Sequence, residues 1–360
     1  MRFHPHIKPR FNRIQAVMFD VIIALLPCLF VAWLAYGFLF LKLLGIAILT
    51  AFVTEFLFSS ILLKKYNTIF DGSALVTAIL LVCTLAPLTP WYVVSFGAFS
   101  AILFGKIVWG GLGKNRFNPA LFGRELMSVF FASIMTSPNL WKSSGLIEQK
   151  SHSFFIGLET FASDYFSGII YKTNGALGEY SILAMVLGGL YLLLRNRISW
   201  HIPFSLLAVF TVLMWLNGSG DLNYSIAGIL FGTLFMATDM PSSPTTPNGK
   251  LFYGGMTAVC LFIFIKGGIR FEYTSYAILL MNGFADKISL TFKPRAWGET
   301  LDYKKKVEEI FILTLKIVTV SSAVLTLYWN DLISYVIYTY IVYIIFKFRF
   351  SFSKSVNQYV

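Results

Sequence analysis

Charge is what this chain has least of. Aspartate, glutamate, lysine and arginine make up only 13% of its 360 residues, while 57% are hydrophobic; soluble domains carry roughly 25% charged residues. That balance excludes a soluble globular fold and describes an all-α polytopic membrane protein. Cysteine is scarce as well. Cys28, Cys83 and Cys260 lie far apart, each inside an apolar run, and no CxxC occurs. A zinc or iron–sulfur site made by this chain alone is therefore not expected, and buried structural thiols are. The four histidines (His4, His6, His152, His201) form no HExxH or similar pair, which removes the case for zinc or haem ligation. A net charge of +12 comes without any nucleic-acid motif or aromatic-basic surface segment, so no nucleic-acid partner is expected. A cleavable leader is also missing from the pattern. The basic stretch "MRFHPHIKPRFNR" is followed by an apolar segment of spanning length with no small-residue cleavage site, and reads as a cytoplasmic lead-in to the first span.

What is present is a long series of apolar runs. A bilayer core needs about 20 apolar residues per helix. Spans are predicted near 17–38, 42–63, 74–89, 91–109, 119–136, 179–194, 201–216, 224–238, 251–265 and 273–290, followed by two more near 310–328 and 332–346. With the N-terminus inside, 22 Lys and Arg fall on cytoplasmic segments and six outside (Lys42, Lys142, Lys150, Lys172, Lys266, Arg270), with Lys316 inside a span. Positive charge marks the cytoplasmic side, so both termini are expected there. The one long external segment is 137–176. It divides the chain into a first five-span half (1–136), an extracytoplasmic loop (137–176), a second five-span half (177–291) and a cytoplasmic linker with an extra two-span hairpin (292–360). Each half carries a polar interruption, at 110–119 and at 237–250. Paired interruptions are what internal repeats with a site at their interface produce.

The first interruption, "WGGLGKNRFNPALFGRELM" (109–127), has two readings. Gly111 and Gly113 permit unusual torsions, and Asn118 before Pro119 makes a good helix start, so a tight turn and a cap account for it. Alternatively, Asn115 and Asn118 line a pocket for a planar heteroaromatic ligand, since carboxamides offer the donor and acceptor that a flavin's pyrimidine edge requires. Asp239 ends the eighth span in "FMATDMPSSPTTP", where an acid must be hydrated, paired or bound to a ligand. Arg124–Glu125 reads as local charge compensation. Glu55 and Glu179 are membrane-level acids that suit either an ion path or a hydrated structural role.

Five stretches occur in one order: "DGSALVTAILLVCTLAPLTPWY" (71–92), "FGKIVWGGLGKNRFNPALFGR" (104–124), "GALGEYSILAMVLGGLYLL" (175–193), "FMATDMPSSPTTPNGKLFYGG" (235–255) and "YAILLMNGFADKIS" (276–289). Over roughly residues 1–298 the chain resembles RnfD, a membrane subunit of the Rnf-type ion-translocating electron-transport complex, and, more loosely, the related membrane subunit of the sodium-pumping NADH:quinone reductase. The resemblance implies a ten-span core of two five-helix repeats, a bacterial cytoplasmic-membrane location, and partner subunits that carry the nicotinamide and iron–sulfur chemistry. It implies flavin-mediated electron transfer coupled to Na⁺ or H⁺ movement, with Asn115, Asn118 and Asp239, beside Gly113, near a non-covalent flavin (riboflavin or FMN). The chain would be a non-autonomous subunit with no catalytic residue of its own. The family's second flavin, FMN, is esterified to a threonine in an Asp-x-x-Ser-Gly-Ala-Thr-type motif. Here the two alignable places, "WKSSGLIEQ" and "DYFSGII", put Ile147 or Ile170 at that position. Isoleucine has no hydroxyl, so covalent FMN is not expected. Residues 299–360 have no counterpart in the resemblance. From other classes, a small-solute transporter or channel, or a cofactor-less scaffolding subunit, would also suit two repeats with broken polar segments.

Overall fold

A computed structural model describes residues 13–66, 68–141, 176–218, 222, 224–294 and 302–356, side chains from 14 to 347 within these. It is all-α, with no strand among the described residues. The helices are α1 Arg13–Tyr36, α2 Phe38–Phe58, α3 Ser73–Cys83, α4 Trp91–Leu103, α5 Pro119–Phe130, α6 Ile182–Leu194, α7 His201–Asn217, α8 Ile226–Phe231, α9 Pro247–Lys266, α10 Tyr273–Thr291, α11 Tyr303–Trp329 and α12 Ile333–Val356. Each predicted span therefore overlaps a helix. Five segments are long and apolar enough to cross a membrane by length and composition: 14–36, 38–63, 91–109, 247–266 and 303–329. Shorter apolar helices cover 73–83, 182–194, 201–217, 226–236 and 333–347.

Three spans differ from expectation, each for a backbone reason. The third, predicted at 74–89, is helical only to Cys83, because Pro87 and Pro90 cannot continue a helix. The fifth breaks at Phe131 (φ −124°, ψ 37°) before one further turn, Ala132–Met135. The eighth runs from α8 into a π-helical turn, Gly232–Met236. Helices that stop inside the bundle leave carbonyl or N–H groups free to meet side chains.

Packing joins the two halves. α1 lies along α6, α5 along α10, and within the halves α2 packs on α4 and α7 on α9. Glycines set the closest approaches: a Cβ on Gly188 of α6 would collide with the Ala24 carbonyl of α1, and one on Gly123 of α5 would lie 2.6 Å from the Gly97 carbonyl of α4. An ion-pair cluster around the buried Asp20 ties α1 to the end of α6. Asp20 accepts from Arg197 Nε (2.5 Å), Arg195 (3.4 Å) and the Tyr191 hydroxyl (3.0 Å). The C-terminal hairpin clasps the core. α11 meets α9 through Ser321 against Cys260 (3.1 Å) and through Trp329 Nε1, which donates to the Gly267 carbonyl (2.9 Å), and meets α10 through the Tyr328 ring against Tyr276. α12 lies over α5 and the 107–109 turn, with Tyr340 between Phe117 and Phe122 and Lys347 Nζ 4.4 Å from the Trp109 ring centre.

Candidate functional site

The first polar interruption is built by glycine. Gly110, Gly111 and Gly113 have φ of 105°, 95° and 81°, a region that costs other residues strain, and they fold the chain back so that Asn118 can open α5. Its Oδ1 accepts from Ala120 N (3.0 Å) and Leu121 N (3.3 Å), with Pro119 at the first helical position. Its Nδ2 donates to the Met236 carbonyl (3.3 Å), at the end of the π turn after α8. Asn118 is thus a cap and also a bridge to the second interruption.

That bridge brings the predicted residues together. Asn115, buried, donates from Nδ2 to the Phe117 carbonyl (3.3 Å), and its Oδ1 is buried with no hydrogen-bond partner. The same side chain lies against Asp239, whose Oδ2 accepts from Ser242 Oγ at 2.8 Å. Asp239 stands in the loop after α8. Burial pushes its carboxyl up to about 6, opposed by the hydrogen bonds from Ser242 and Asn115. Asn282 of α10 closes the cluster. With its amide turned to satisfy both ends, its oxygen accepts from Asn118 N (3.0 Å) while its nitrogen donates to the Ser242 carbonyl (3.1 Å) and the Tyr253 hydroxyl (2.7 Å). Gly113 borders the cluster in sequence, and nothing lies within 4 Å of where its Cβ would be. Asn282, Ser242 and Tyr253 carry no local motif that marks them in the sequence. Asn282 lies inside the quoted "YAILLMNGFADKIS", where an amide at mid-helix was the available signal.

Glu55 and Glu179 are both buried, in different places. Glu55 Oε1 pairs with Lys106 Nζ at 2.6 Å; the same ammonium donates to Ser73 Oγ and lies 4.0 Å from Asp71. Lys106 and Arg124 are among the 22 charges assigned to cytoplasmic segments. Both are buried, and removing them leaves 20 against six, so the asymmetry survives. Glu179 accepts from Ala176 N (3.3 Å) and faces the start of α8, where a Cβ on Gly228 would lie 3.0 Å from its carboxylate. Arg124 does not pair with Glu125. Its Nη1 donates to the Thr84 carbonyl at the end of α3 (2.8 Å) and its Nη2 to the Phe271 carbonyl before α10 (3.2 Å). Ile147 and Ile170 lie outside the described residues.

α5 and α10 contact each other reciprocally. Asn118, the cap of α5, meets Asn282, ten residues past the cap of α10; Glu272, the cap of α10, meets Ser128, ten residues past the cap of α5, at 3.3 Å. Against known proteins, residues 1–298 match the model of the NQR2, RnfD, RnfE family. The chain belongs to that family. Among its relatives, the D-type subunit of the Na(+)-translocating ferredoxin:NAD(+) oxidoreductase complex of Acetobacterium woodii is 35% identical over 303 residues, covering 82% of this chain and 94% of that protein. The proton-translocating counterpart from Clostridium ljungdahlii is 33% identical over 320 residues, with the same coverages. The D-type subunit of the ion-translocating oxidoreductase complex of Shewanella amazonensis is 32% identical, covering 82% and 96%. The family match stops at 298, so the linker and the α11–α12 hairpin are additions to the shared core.

Proposed function

We propose that the chain is the RnfD component of an ion-translocating redox complex and that it holds a non-covalent flavin beside Asn115 and Asp239. The observation that carries the flavin reading is the Asn115 amide oxygen, buried and unpartnered next to a carboxylate. A buried unmatched acceptor costs about 1–3 kcal/mol, and a ligand N–H would recover it. The donor set fits a flavin: amides and a carboxyl offer both hydrogen-bond polarities, while Asn118 has both ends occupied by the cap and the bridge and serves to position the loop. A flavin bound here would supply reversible electron carriage. The chain supplies a polar edge from Asn115 and a carboxyl at Asp239 whose charge changes near neutral pH.

The reading extends to a ten-span core of two five-helix repeats, supported by the reciprocal α5–α10 contacts, and to the domain limits 1–136, 137–176, 177–291 and 292–360. It places both termini on the cytoplasmic side of a bacterial inner membrane, supported by the charge asymmetry. Electron donor and acceptor chemistry belongs to partner subunits. No phosphoester-linked FMN is proposed, because Ile147 and Ile170 have no hydroxyl to esterify. The test is flavin content of the full-length protein purified from its complex. Flavin should leave on denaturation, with no fluorescent band at this chain's mass in a denaturing gel. Asn115→Leu should lower retained flavin by about tenfold, the equivalent of one hydrogen bond. Equal flavin in wild type and variant would refute the site.

A further inference from the structure

About 10 Å along α5 from Asn118, seven residues at the helical rise, lies a second polar cluster that the flavin reading does not use. Glu125 is only 3% exposed, and neither carboxylate oxygen has a hydrogen-bond partner of normal geometry among the described residues; the Ser275 hydroxyl is nearby. Facing it from the start of α10 is Glu272, 9% exposed, which accepts one hydrogen bond from Ser128. The local cation, Arg124, spends both Nη groups on the Thr84 and Phe271 carbonyls, and no ion pair joins it to either acid among the described residues. Glu179 and Tyr273 stand beside Arg124, Tyr276 beside both acids, and Tyr328 of α11 beside Glu272 and the exposed Arg270. Arg124 is thus the buried cation of this cluster of three buried carboxyl groups, and Arg270 is exposed at its edge.

Two neighbouring carboxylates cannot both stay ionised away from water unless a cation sits between them. We propose that Glu125 and Glu272 together hold one monovalent cation, a proton or Na⁺, at the α5–α10 contact. The shared chemistry is a pair of carboxylates that carries net charge −1 with one monovalent cation bound, so that H⁺ and Na⁺ exchange one for one. Ser128, three residues from Glu125 on the same face of α5, and the Ser275 hydroxyl are neutral oxygens that complete a hard-cation shell. Because α5 and α10 also carry Asn118 and Asn282, a shift between these helices reaches both clusters. The site stands on geometry alone; its use in transport rests on the ion-translocating reading above.

The test uses the full-length chain in lipid nanodiscs. A hydrophobic carbodiimide reacts with a protonated carboxyl in an apolar site, and peptide mass spectrometry locates the adduct. Labelling at the pair should fall at least tenfold as pH rises and the shared proton leaves, and should vanish in Glu125→Gln/Glu272→Gln. Protection by Na⁺ but not choline, together with saturable ²²Na⁺ binding, identifies Na⁺ as an occupant; pH-dependent labelling without Na⁺ protection identifies the proton alone. Either outcome supports the site. Absence of labelling at both residues at every pH, with no saturable ²²Na⁺ binding, overturns it, as does Na⁺ binding that persists in the double variant. If the double variant is not monodisperse, Glu272→Gln and the wild-type labelling pattern decide. A chain that keeps its flavin yet shows none of this loses the cation site and not the redox reading.

Discussion

Replacing Lys106 with methionine keeps the length and apolar stem of the side chain and removes only its charge. In the folded chain that ammonium is 2% exposed, 2.6 Å from Glu55 Oε1 and bonded to Ser73 Oγ, with Asp71 at 4.0 Å. The gross attraction at 2.6 Å is about 6 kcal/mol at an effective dielectric near 20, most of it offset by the cost of drying both ions, so the intact pair contributes little net stability. The single variant is different. It strands Glu55, whose Oε2 already lacks a hydrogen-bond partner, and losing one partner of a buried pair costs about 3–5 kcal/mol. Glu55→Gln in the same background removes the stranded charge and should recover most of that loss. The assay is thermal unfolding in detergent, followed by tryptophan fluorescence, as a double-mutant cycle over both positions. Lys106→Met should lower Tm by on the order of 10 °C, with the double variant between it and wild type. A single variant within about 1 kcal/mol of wild type would refute the buried pair, since only a solvated lysine can be lost so cheaply.

Asp239 gives a pH dependence. Its folded carboxyl is raised from 3.8 to about 6, so the folded state holds the proton more tightly than the unfolded chain. Its contribution to stability is present in acid, lost as pH rises from about 4 through about 6, and absent above. Asp239→Asn keeps the shape without the charge, so it should exceed wild type by about 3 kcal/mol above pH 7 and converge with it below about pH 4; a difference independent of pH would exclude the desolvated carboxyl. Orientation is checked with single cysteines at Ser144 and Asn248 in a cysteine-free background. A membrane-impermeant maleimide added to intact spheroplasts should label the first and not the second, and labelling of both from one side would overturn the proposed topology.

The all-α membrane class, the overlap of every predicted span with a helix, and the two interruptions were legible in the sequence. Each is a local property. Twenty apolar residues need a bilayer-like environment wherever they sit, and Asn118-Pro119 or Thr246-Pro247 starts a helix by capping chemistry confined to one turn. The length of the half-helices was less legible, because an apolar run does not reveal where Pro87 or the π turn after Phe231 ends regular hydrogen bonding. Tertiary structure alone decided the pairings. Asn115 and Asp239 are separated by more than a hundred residues, and nothing in either segment says that they meet; the Asn118 bridge to Met236 and the antiparallel contact of α5 with α10 make them neighbours. The same holds for the charges. Lys106, Arg124 and Glu125 look alike on paper as polar residues near a loop, yet one pairs with Glu55, one binds two backbone carbonyls and one stays unpartnered. A charge's partner depends on which helix packs against it, and packing is a property of the whole bundle.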